Sequence, residues 1–122
     1  MASAVASRWL AVGGAILIVG GAILIAAVAA DSLVPVAWQV RTGLHWLTEH
    51  FLAYFAVTIV FCIALQRALA VAGVAMIFAA LMELLQGLTA DRVPDLLTAL
   101  SGAAGALAGA VMATLLTGFL KA

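Results

Sequence analysis

The chain has 122 residues, 68% of them hydrophobic, a mean hydropathy of +1.33 and a formal net charge of +0. A soluble domain is about 45–50% apolar, so the excess predicts an all-α integral membrane protein with residues 1–122 as a single domain. Charged residues are 8% with no basic stripe, which excludes a nucleic-acid partner, and the single Cys excludes an intrachain disulfide.

At about 20 residues per span, the length accommodates roughly four transmembrane helices in a compact bundle. The first span is expected over 9–30 and contains a tandem repeat, Gly13-Gly-Ala-Ile-Leu-Ile18 and Gly20-Gly-Ala-Ile-Leu-Ile25. Its period of seven places Gly13, Gly14, Gly20 and Gly21 on nearly one face, which predicts close approach of another helix. Arg8 ahead of the run and Ala29-Ala30 after it share features with a signal peptide. The run exceeds the usual apolar region of about 7–15 residues, so a retained span is expected.

Asp31 to Glu49 mixes Pro35, Trp38, Gln39, Arg41, His45 and Trp46, which predicts a loop leading into an interfacial helical stretch. The second span is expected over 50–65, with His50 and Tyr54 four residues apart and so on one face. After Gln66-Arg67 the third span is expected over 68–88, with Gly73, Met76, Ala80, Glu83 and Gly87 as its buried stripe. The fourth is expected over 96–120, where Asp95, Thr98, Gly102, Gly105 and Gly109 recur on one face.

With four spans, the first and third connections lie at the same membrane face. His50, Tyr54, Glu83, Gln86, Arg92 and Asp95 are therefore expected to gather there as a polar pocket. Glu83 lies about 7 Å inside its span at 1.5 Å per residue, where a carboxylate needs a partner, and Arg92 is the available cation. Arg8, Arg67 and Lys121 fall on the opposite face, which predicts both termini in the cytoplasm.

Glu83-Leu-Leu-Gln86, Arg92, Asp95-Leu-Leu, Gly102 and Gly105, together with His50-Phe-Leu-Ala-Tyr54-Phe, resemble the VanZ-like family of small membrane proteins. The resemblance covers roughly residues 46–109. It implies a four-helix protein of the bacterial cytoplasmic membrane linked to the cell envelope. The family's named member is associated with resistance to the glycopeptide antibiotic teicoplanin.

Two functions follow as expectations. In the first, the pocket at the extracytoplasmic face binds or acts on a membrane lipid or lipid-linked envelope molecule. Arg92 would hold an anionic group, and Glu83 and His50 would be candidates for acid–base chemistry. No nucleophile motif accompanies them, so an enzymatic role is left open. In the alternative, the cluster is an interhelical clasp, and the protein is a scaffold or partner subunit of a membrane complex, able to associate through its Gly-rich faces. His50, Glu83 and Asp95 could supply mixed ligands to a divalent ion, but they lack short ligand spacing. No metal or cofactor is expected.

Overall fold

A computed structural model describes residues 2–89 and 91–122. Four helices follow one another: α1 (Ala2–Leu33), α2 (Trp46–Leu65), α3 (Ala68–Gln86) and α4 (Leu96–Lys121). Each is long and apolar enough to cross a membrane, and they pack as a bundle. The chain is an integral membrane protein. A single 3-10 turn, Val36–Trp38, opens directly after Pro35 in the first connection. The connection otherwise runs without helix to Trp46, so Arg41 lies outside the second helix. The α2–α3 connection is abrupt because Gln66 takes φ +55° and its Nε2 donates to the Ile63 carbonyl at 2.7 Å.

The closest pairing is α2 against α4, and its cause is the small face of α4. Thr98, Gly102, Gly105, Ala106, Gly109, Ala110 and Ala113 are all buried. A Cβ on Gly105 would collide with the Phe51 carbonyl oxygen, and one on Gly109 would lie 2.7 Å from that of Phe55. The α2 backbone thus lies directly on the α4 glycines. Lipid supplies no hydrophobic drive between spans, so this close approach and its dispersion energy hold the pair together. Gly102 lets the Tyr54 ring and Ala79 meet above it, closing a core of Tyr54, Ala75, Ala79 and Ala106.

Two expectations change. The buried stripe of α3 is Ala72, Ala75, Ala79, Met82, Glu83 and Gln86, while Gly73 and Gly87 are exposed. The stripe is turned by one residue, about 100° at 3.6 residues per turn, because the Ala methyls make the van der Waals contacts. In α1, a Cβ at Gly13, Gly14 or Gly20 would meet nothing within 4 Å. Only Gly21 makes the expected close contact, with the Phe61 ring 2.9 Å from its Cβ position. The α1 glycine repeat therefore packs at one point.

Gly105→Ala is expected to lower stability by about 1–3 kcal/mol through overpacking. Gly20→Ala should leave it unchanged or slightly higher, since Ala is the better helix former. Thermal melts of both variants in one detergent provide the comparison.

Candidate functional site, a polar clasp at one membrane face

The first and third connections meet at one end of the bundle, as alternating spans require. Two adjacent residues of the α3–α4 connection join them. Asp91 Oδ2 accepts from the Val36 amide at 2.8 Å. Arg92 Nη1 and Nη2 donate to the Ser32 and Val34 carbonyls at 2.7 and 3.3 Å. These carbonyls stand at the C-terminus of α1, where unsatisfied C=O groups carry the negative end of the helix dipole. Arg92 therefore caps α1. The sequence made it the partner of Glu83, but Arg92 pairs with neither Glu83 nor Asp95. Among the described residues the single ion pair is Arg41 Nε with Glu49 Oε2, at 3.3 Å.

The other acids follow the same pattern. Asp31 Oδ1 accepts from the Val40 amide at 2.7 Å. Glu49 Oε1 accepts from the amide and hydroxyl of Thr42, each at 2.8 Å. Glu83, 7% exposed at the end of α3, accepts from the Asp95 amide through Oε1 at 2.7 Å. Asp95 is the N-cap of α4, accepting from the Leu97 amide at 3.1 Å and from the Thr98 hydroxyl at 2.8 Å. All five acids of the chain thus accept from a backbone N–H. The reason is local: loops and first helical turns leave amides without intrahelical partners. Near a bilayer, a missing partner costs about 1–3 kcal/mol per buried group. A charge-assisted bond of about 1.5–3 kcal/mol outweighs an exposed ion pair of about 0–1 kcal/mol, so the acids go to amides.

Among the described residues His50 makes no hydrogen bond to this network, and Tyr54 lies near enough to Glu83 to feel its charge. His50 Nδ1–H donates to the Trp46 carbonyl at 2.8 Å. Tyr54, 3% exposed, packs its ring near Phe78 with centroids 6.2 Å apart. Gln86 is buried at 5% exposure, and its carbonyl accepts from the Thr89 hydroxyl at 2.7 Å. The six polar positions therefore divide into an α3–α4 junction of Glu83 and Asp95 with Gln86 buried beside it on α3, an α1 cap at Arg92, and His50 and Tyr54 on α2. No group of three or more His, Cys, Asp or Glu side chains is arranged to hold a metal among the described residues. Three contacts were not legible in sequence. Ser101 donates to the Leu47 carbonyl, His45 caps α2 by accepting from the Leu47 amide at 3.3 Å, and Asp91 holds the 3-10 turn. A polar residue just ahead of a helix was the available signal for His45; the other two depend on elements far apart in sequence.

A family profile described as mitochondrial import receptor subunit Tom6, fungal, matches residues 51–86. The match covers most of α2 and all of α3, less than a third of the chain. No curated protein and no solved structure matches. The profile points to a different family and overturns the resemblance to VanZ-like proteins. With that resemblance go glycopeptide resistance, action on envelope components, and a bacterial cytoplasmic membrane with both termini in the cytoplasm. The spacing of Glu83, Arg92 and Asp95 has a general physical cause, since each serves a helix end or loop amide that any bundle of this topology must satisfy.

Two outcomes are expected. Glu83→Ala strands the Asp95 amide and should lower stability by about 1.5–3 kcal/mol, while Glu83→Gln, which keeps an acceptor, loses much less; denaturant titration of folded helix content measures both. The Thr98 hydroxyl and then the Leu97 amide hold the Asp95 carboxyl below its usual value. A depressed folded pKa gives stability above the unfolded value, about 3.9, that is lost as pH falls through the folded one. The melting temperature should therefore fall below about pH 4, less steeply in Asp95→Asn, in melts taken from pH 7 downward.

Proposed function

We propose that this protein is a membrane-embedded scaffold or partner subunit of a protein complex, and that its polar face is an interhelical clasp rather than a reaction site. The observation that carries this reading is the engagement of every acid with a backbone amide, together with Arg92 on the end of α1. Groups held this way set the angles of α1, α3 and α4 and leave no free acid–base pair at the α3–α4 junction. Glu83, Gln86, Arg92 and Asp95 are read as positioning residues for the bundle.

The similarity of residues 51–86 to a family named for a subunit supports the same reading. Within that stretch, α3 turns Val74, Ile77, Leu81 and Leu84 outward, each 47–69% exposed. Their spacing marks one helix face. That face is read as the surface for a membrane-spanning helix of a partner chain. The remaining exposed apolar residues of the four helices are read as the lipid-facing surface.

A photocrosslinking residue at Ile77 or Leu81 tests the assignment in the native membrane. The expected result is one discrete protein adduct, of the same mass from both positions, that disappears with Glu83→Ala and survives Glu83→Gln. Lipid adducts alone at both positions, or a mass equal to two copies of this chain, would overturn it.

A further inference from the structure

A cavity of about 540 Å³ lies between the C-terminal half of α1, the first connection and the opening turns of α2. Its size falls within the range of about 300–1,000 Å³ typical of small-molecule sites. Its origin is visible in the packing of α1. That helix touches α2 closely at Gly21, against Phe61, and is drawn in again at its end by Arg92. Between these two points Val28 packs against the core, and Leu24 and Ala27 border the gap.

The cavity is amphipathic along its length. Leu24, Ala27, Val28, Leu52 and Ala53 form its apolar wall, and Asp31, Gln39, Arg41, Glu49 and His50 its polar end. Leu24 and Asp31 are seven residues apart, so the two ends are separated by about 10 Å along α1. Tyr54, 3% exposed, also lines it.

We infer that this cavity is a binding site for the acyl chain of a membrane lipid with a zwitterionic head group. The chain lies against Leu24, Ala27 and Leu52, an ester oxygen accepts from the Tyr54 hydroxyl, and the head group rests at the polar end. Asp31 and Glu49 against Arg41 give that end a formal charge of −2 + 1 = −1. A net anionic head group is repelled there, while the cationic part of a zwitterionic one is attracted. The site does not depend on any protein partner.

The test uses the full chain reconstituted in phosphatidylcholine vesicles carrying a trace of phosphatidylcholine with a diazirine in one acyl chain. After irradiation, label should concentrate on residues 24–28 and 52–54. Filling the cavity with Ala27→Phe and Ala53→Phe together should abolish that label, with helix content and particle size unchanged. Tyr54→Phe, which keeps the ring and its packing, should reduce it about two- to tenfold, the worth of one hydrogen bond; it remains decisive if the double variant does not fold. Label spread evenly over the exposed faces of α1 and α4 would overturn the site. So would stronger labelling by a phosphatidylglycerol probe of the same design, or a crosslink from Leu24 to a second copy of the chain in place of lipid.

Discussion

A backbone amide that leaves a helix near a bilayer has little water to turn to, and the structure of this protein depends on how that constraint is met. Its five acids are distributed over α1, α2, α3 and the third connection, yet each ends on an amide. Arg92 does the converse for carbonyls at the end of α1. The two connections on this face are thereby locked to one another across some sixty residues of sequence, through bonds of |i−j| 55 to 60. The acids and Arg92 make these bonds to the chain's own backbone.

The rest of the bundle is built around unequal closeness. α4 meets α2 backbone to backbone because Gly105 and Gly109 have no side chains, and α3 meets both through alanine methyls. α1 is held at Gly21, by Val28 against the core, and at its capped end. One side of the molecule is consequently tight and well determined, and the other contains a cavity. The clasp and the cavity share a cause: Arg92 draws the end of α1 inward while the stretch below it remains unfilled.

This arrangement explains why motif spacing misled. A carboxylate in the last turn of one helix, an arginine in the following loop and an aspartate ahead of the next helix are what a helix–loop–helix junction at a membrane face needs. The pattern therefore carries capping information. The similarity of α2 and α3 to a subunit family, and the engagement of every acid, both turn attention from chemistry to assembly.

Composition and the lengths of the apolar runs determined the four helices, because hydrocarbon thickness and backbone hydrogen bonding leave few alternatives. Alternation of spans also determined that His50, Glu83, Arg92 and Asp95 belong to one end of the bundle, and the glycine spacing of α4 determined its buried face. Only the tertiary structure decided which group each charge would meet. Arg92 had Glu83 and Asp95 within reach in sequence and took the α1 carbonyls, whose position depends on how α1 packs. It also decided that the glycines of α1, equivalent in sequence to those of α4, stay largely unpartnered. Small residues permit close approach but do not compel it, and the choice of neighbour lies in the geometry of the whole bundle.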